Sequence, residues 1–124
     1  MEMNEILSKI VKMNYPDFVG FINQWNVLPG AYNTLSKWAV YSRMSEQSKL
    51  LQIACTTGFQ SRELSLLTGC QALGIDLSEK AIEMANYNKD RYAPNTNLRY
   101  IQGNALEFNT DERFSHVAIG AGAQ

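Results

Sequence analysis

The chain is short of several things. It has no apolar run approaching the ~20 residues of a membrane-spanning helix, so no such helix is expected. Cysteine is scarce: Cys55 and Cys70 are the only two, and their spacing suits neither a metal-binding pair nor a disulfide framework. Buried thiols in a reducing cytosol are the expectation. His116 is the only histidine, and no metal site is expected. Neither sign of charge is in excess, with 11 Lys and Arg against 12 Asp and Glu and a net charge of −1. That balance excludes a general electrostatic pull toward nucleic acid or an anionic membrane. The first residues carry Glu2 and Glu5 where a secretory signal would be basic, so a cytoplasmic location is expected. What is present is 45% hydrophobic and 19% charged residues over 124 positions. That is enough for one globular domain with a core, and not for two.

The first ~45 residues read as helices. Asn4 to Met13 sets Ile6, Leu7, Ile10 and Val11 on one stripe, with Asn4 as its cap. Asn14-Tyr15-Pro16-Asp17 ends that helix, and Pro16 opens a second one to Trp25, carrying Phe18, Phe21, Ile22 and Trp25 on one face. After Leu28-Pro29-Gly30 a third helix covers about Ala31 to Met44. Residues 1–45 thus form an N-terminal helical segment, and residues 46–124 a second unit with a different period. The N-terminal aromatics Tyr15, Trp25, Tyr32 and Trp38 read mainly as core, with a lid over a ligand as the alternative.

From Leu50 the pattern is strand, tight loop, helix, strand, acid. Leu50 to Ala54 is a short buried strand, and Cys55-Thr56-Thr57-Gly58 a loop of small residues. Gln60 to Thr68 is helical and ends on Gly69 in the C-cap manner. Gln71 to Ile75 is a second strand, ending on Asp76. This is how a nucleotide-binding βαβ unit is written: small residues let the backbone approach a ligand, and the acid ~20 residues on accepts ribose hydroxyls. Ser78 caps the next helix, with Ala81, Ile82 and Ala85 facing inward. Leu98 to Gln102 and Phe114 to Ile119 are two more strands, the last followed by Gly120-Ala121-Gly122. Strands alternating with helices predict a parallel sheet whose ligands bind at the carboxyl ends of the strands.

Four stretches in order now resemble the class I S-adenosylmethionine-dependent methyltransferases, in their small-molecule branch with the methyltransferase type 11/25 domain. Leu50 to Gly58 resembles the family's glycine-rich first motif. Gly74-Ile75-Asp76-Leu77-Ser78 with Ile82-Glu83-Met84-Ala85 resembles the acidic second motif. Tyr100-Ile101-Gln102-Gly103-Asn104-Ala105 resembles the Gly-Asp-Ala motif, and Phe114 to Ile119 the run of the fourth strand. The resemblance implies an α/β, Rossmann-like, three-layer α/β/α fold, truncated, with parallel strands in order 3-2-1-4 and preceded by N-terminal helices. It implies S-adenosylmethionine as cofactor. Asp76 would hold the ribose and Leu77 pack on the adenine. Ala54, Cys55, Thr56 and Gly58 would cradle the methionine end, Asn104 and Ala105 flank the adenine, and Gly120 lie near the transferring methyl. The reaction would be in-line transfer of an activated methyl, in which alignment accounts for ~7–11 kcal/mol of barrier.

The family's sheet has seven strands and this sequence reaches four, so the resemblance implies a truncated form lacking the C-terminal half. An unpaired fourth strand invites self-association. The acceptor is expected to be a small molecule rather than a nucleic acid, because no basic patch is present and the Asn-Pro-Pro-Tyr and Asp-Pro-Pro-Tyr signatures of amino-methylating enzymes do not follow the fourth strand. No catalytic residue is assigned, and His116 reads as a packed strand residue.

The departures bear on the loop. Gln52, Asn104 and Ser115 stand where the family has Asp, and Ala54 and Thr56 replace two of its three first-motif glycines. A β-branched residue disfavours positive φ. The loop is therefore expected either to keep a negative φ at Thr56 or to be displaced from the methionine end. Two further classes stay open: a methyltransferase-like binding or interaction domain without turnover, and a nicotinamide-binding oxidoreductase.

Overall fold

A computed structural model describes residues 3–25 and 29–119. Three helices come first: α1 (Met3–Lys12), α2 (Tyr15–Phe21) and α3 (Ala31–Tyr41). The alternating unit follows as β1 (Lys49–Ile53), α4 (Phe59–Thr68), β2 (Gln71–Asp76), α5 (Glu79–Tyr92), β3 (Leu98–Gln102) and β4 (His116–Ile119). The sheet is parallel throughout, in the order β3-β2-β1-β4. β2 lies inside it and is buried over five consecutive positions from Ala72, as a strand covered on both sides must be.

The local signals explain the boundaries. Ser78 caps α5, its hydroxyl accepting from the Ala81 amide at 3.2 Å. Gly69 closes α4 with a left-handed φ of 78°, the conformation a Cβ penalises. Asn14 caps α2 by accepting from the Asp17 amide, and Pro16 falls in its first turn. Several expectations need correction. Asn4 lies inside α1 rather than capping it. α2 stops at Phe21, four residues short of Trp25, because Ile22 leaves the helix and Asn23 turns left-handed at φ 51°. α3 ends at Tyr41, since Arg43 adopts φ 57°. Strand β4 begins at His116, after Phe114 and Ser115.

One face of the sheet carries the core. Leu50, Ala72, Leu98, Tyr100 and Ala118 pack with Leu35 and Ala39 of α3, Phe59 and Leu64 of α4, and Ile82 and Ala85 of α5. The alternation of a strand sends Leu51, Ile53, Leu73, Ile75, Ile101, Val117 and Ile119 to the other face. None of these belongs to that cluster, and Val117 and Ile119 are 62% and 60% exposed. This is the face a second helical layer would cover. At the opposite end from the strands' carboxyl termini, Glu112 receives Arg99 at 2.6 Å and Lys49 at 3.5 Å. These partners, Arg99 first, lower the carboxyl's pKa.

Candidate functional site

The loop leaving β1 is built against local preference. Ala54 has φ 57°, Thr56 φ 48° and Gly58 φ 87°. All three positions of the glycine-rich pattern thus keep positive φ, although only the last is glycine. The expected negative φ at Thr56 does not occur. A left-handed residue with a Cβ costs roughly 1–2 kcal/mol, more awkwardly for a β-branched one. That cost must be offset by the surroundings.

The offsetting contacts are specific. The Thr56 amide donates to Asp76 Oδ2 at 2.9 Å, and the Thr56 hydroxyl to the Cys55 carbonyl at 2.8 Å. Asp76 Oδ1 accepts from the Ser78 amide at 2.9 Å. The carboxylate at the end of β2 therefore bridges the first loop to the start of α5. Each oxygen takes one donor and keeps acceptor capacity. Asp76 itself is 7% exposed. The plain capping role and the ligand role are both open to this one side chain.

Behind the loop stands Tyr100. Its hydroxyl donates to the Gly58 carbonyl at 3.1 Å and lies 3.0 Å from Ser61 Oγ. A Cβ on Gly58 would come within 2.7 Å of that hydroxyl, and one on Gly74 within 2.7 Å of the Tyr100 ring. Space leaves no room for a Cβ at either position, and the φ of Gly58 disfavours one as well. Burial raises the pKa of both Tyr100 and Cys55, so a neutral phenol and a neutral thiol face the loop at physiological pH. For Cys55 the Asp76 carboxylate adds to the rise. Gln52, standing where the resemblance has Asp, accepts from the Ser61 amide in the first turn of α4 at 3.1 Å and donates to Gln60 at 3.2 Å.

The remaining expected residues surround the same strand ends. Leu77 follows Asp76 and is 67% exposed; it is not ordinary core. The Gly103 amide bonds the Asp76 carbonyl at 2.9 Å, seating the loop after β3 beside the end of β2. Asn104 turns that loop by accepting from the Leu106 amide at 2.9 Å, an Asx turn. With one lone pair of Oδ1 so used, its Nδ2 can still meet a ring nitrogen and Oδ1 an amino group. Ala105 lies beside it, half-buried. Gly120 falls outside the described residues. Ala54, Cys55, Thr56, Gly58, Asp76, Leu77, Asn104 and Ala105 are thus brought to the carboxyl ends of β1, β2 and β3. Loops in glycine conformation, an acid with spare lone pairs and an exposed apolar side chain fit an adenosyl group with an amino-acid tail.

His116 lies at the amino end of β4, away from these residues. Its Nε2 donates to the Ser42 carbonyl and its Nδ1 meets Ser115 Oγ, both at 2.8 Å. It ties the end of α3 to the sheet. The sequence reading missed the groups that hold the site from outside: Thr57, Asn88, Asn23 and Arg62. Thr57 donates to the Gln24 carbonyl at 2.6 Å, and Asn88 to the Thr57 carbonyl at 3.0 Å. Arg62 is buried beneath Trp25, its Cζ 4.5 Å from the ring centroid, with Phe59 and Tyr92 at 5.7 Å. Trp25 therefore packs on α4, in a cation–π contact of roughly 2 kcal/mol when desolvated. A polar residue at a helical position reads as solvated in sequence, yet Asn88 and Arg62 are buried on α5 and α4.

Comparison with known proteins accords with this geometry. A family model described as a methyltransferase domain matches residues 50–123. "Probable cobalt-precorrin-6B C(15)-methyltransferase (decarboxylating)" of Saccharolobus solfataricus is 34% identical over 86 residues, covering 66% of this chain and 43% of that protein. The crystal structure of the MccD protein superposes with a TM-score of 0.68 at 36% identity, over 74% of this chain and 41% of that one. The S-adenosyl-L-homocysteine complex of a methyltransferase from Thiobacillus denitrificans shares the fold with a TM-score of 0.69 at 20% identity, over 86% and 43% of the two chains. The chain thus spans less than half the length of each of these relatives. With the β3-β2-β1-β4 sheet and the loop–acid pair at its strand ends, the match over most of the alternating unit makes this chain a member of the methyltransferase-domain family.

Proposed function

We propose that the chain carries the cofactor-binding half of an S-adenosylmethionine-dependent methyltransferase acting on a small-molecule acceptor. The observation that carries this reading is the left-handed backbone kept at Ala54 and Thr56. Strained residues persist where a site needs them, and here they hold the left-handed backbone that glycine adopts without strain. In this reading Asp76 accepts the ribose hydroxyls, Leu77 covers one face of the adenine, and Asn104 with Ala105 borders its edge. Ala54, Cys55, Thr56 and Gly58 enclose the methionine end, and Gly120 borders the methyl. The cofactor, when bound, supplies an activated methyl on a sulfonium. The chain's own part is to bind, orient and exclude water.

A small acceptor is supported by the name of the cobalt-precorrin relative and by the balanced charge of this chain. The two buried free cysteines suit a cytoplasmic setting. In this reading residues 1–45 are an N-terminal helical segment, and residues 46–124 are the Rossmann-like half-domain that binds the cofactor. Among the described residues β4 is the outer strand of the sheet and borders a groove of about 720 Å³ lined by Trp38, Tyr41, Met44 and Leu64, and we take this edge as a place where two copies pair.

Titration calorimetry with S-adenosylhomocysteine tests the reading: a saturable, one-to-one isotherm is expected, and no heat with no thermal shift would sink it. A second reading, a methyltransferase-like binding or interaction domain without turnover, is favoured by the near-complete burial of Asp76 between two backbone donors. Binding of S-adenosylhomocysteine without methyl transfer to any acceptor is its signature.

A further inference from the structure

We propose that Asn88 and Asn23 are positioning residues that clamp the strained loop from outside the strand–loop–helix unit. The inference deepens the cofactor reading and rests on it for the affinity measurement alone.

Asn88, on α5, is fully buried. Its Nδ2 donates both to the Thr57 carbonyl at 3.0 Å and to Asn23 Oδ1 at 2.9 Å, while its Oδ1 accepts from Asn23 Nδ2 at 3.0 Å. The two amides form a closed, reciprocal pair. The Thr57 carbonyl can only accept, which fixes the orientation of both side chains. Next to Asn23, the Gln24 carbonyl accepts the Thr57 hydroxyl at 2.6 Å. Thr57 is thus gripped at its carbonyl and at its hydroxyl by two elements distant in sequence. Its neighbour Thr56 is gripped at the amide by Asp76 from the other side.

The approach of α2 makes this possible. A Cβ on Gly20 would lie 2.5 Å from the Lys80 and Ala81 backbone, so only glycine lets α2 sit this close to α5. Asn23 then turns left-handed at φ 51°, which asparagine tolerates better than most residues. A loop of glycines would hold its conformation with little help. One with Ala54 and Thr56 in that conformation relaxes toward negative φ unless held, and the clamp is what holds it.

The test uses the whole chain with Asn88→Ala and Asn23→Gly, each with and without Thr56→Gly. Asn23→Gly removes the amide while suiting the positive φ, so it guards against a misfolded Asn88→Ala. Two quantities are read: amide-exchange protection factors at position 56 and Gly58 without cofactor, and S-adenosylhomocysteine affinity by calorimetry. Each single variant is expected to lower protection and affinity about tenfold, the equivalent of about 1.4 kcal/mol. Adding Thr56→Gly is expected to restore both without restoring a single clamp bond. Unchanged protection in both single variants, or loss that Thr56→Gly does not rescue, overturns the clamp. Wild-type protein that binds no S-adenosylhomocysteine overturns the cofactor reading instead, and the exchange arm then decides the clamp alone.

Discussion

Two loops flank Asp76 and are held in opposite ways. The loop after β1, residues 54–58, is buried from Cys55 on, has three positive-φ positions and is secured by contacts from β2, β3, α5 and the turn after α2. The loop after β3, residues 103–105, is half-buried and secured mostly by its own short-range bonds, Asn104 to Leu106 and Glu107 back to Asn104. The first is imposed on its sequence by tertiary structure; the second follows from Gly-Asn turn chemistry. Loops of the first kind are rigid only while their supports stand. Loops of the second kind are replaceable one residue at a time.

The largest effect should come from Gly58→Ala. A left-handed alanine and a Cβ 2.7 Å from the Tyr100 hydroxyl together should cost about 3 kcal/mol, seen as a lowered midpoint in urea unfolding. A loss below about 1 kcal/mol would mean that the first loop yields as readily as the second. Asp76→Asn comes next. The amide sets a donor against one of two backbone donors, so stability should fall by about 2 kcal/mol and S-adenosylhomocysteine binding should be lost with it. Retained binding would reduce Asp76 to a structural bridge.

Thr56→Gly should move the other way, raising stability by about 1 kcal/mol through relief of the left-handed Cβ; a lowered melting temperature would show that Thr56 bears no strain. Asn104→Ala, in the second loop, should change stability by no more than about 0.5 kcal/mol while weakening cofactor binding. A large loss of stability there would erase the contrast between the loops.

The gentlest effect is on the alkaline limit. Burial raises the pKa of Cys55 and of Tyr100 from ordinary values of 9.0 and 10.0. Both groups therefore stay neutral in the folded chain where the unfolded chain ionises. Their contribution is fully present below pH 9 and is lost as pH rises through the window above it. A melting temperature flat from pH 7 to 9 and falling beyond is expected. Cys55→Ala should soften that fall, and an unchanged slope would discount the thiol.

Much of the scaffold was legible. Ser78 and Gly69 mark helix ends because their side chain, or lack of one, settles a local energy. The strand order follows from the alternation of strands and helices together with the family resemblance. Asp76, Leu77 and Asn104 stand where their motifs put them, since each depends on its distance from a strand end. The backbone at Thr56 was not legible, because propensity argues for negative φ and the supports that override it lie 20 and more residues away. Nor were Asn88 and Arg62, polar residues at helical positions whose burial depends on how α2 and Trp25 lie.

The order of elements, the parallel sheet and the acid at the end of β2 all follow from period, capping and spacing along the chain. That the glycine-poor loop keeps left-handed positions at Ala54 and Thr56 depends on packing between distant elements. That outcome is a competition between a local cost of a few kcal/mol and hydrogen bonds from Asp76, Asn88 and Gln24, and the bonds exist only once α2, α5 and β2 have met around Thr57.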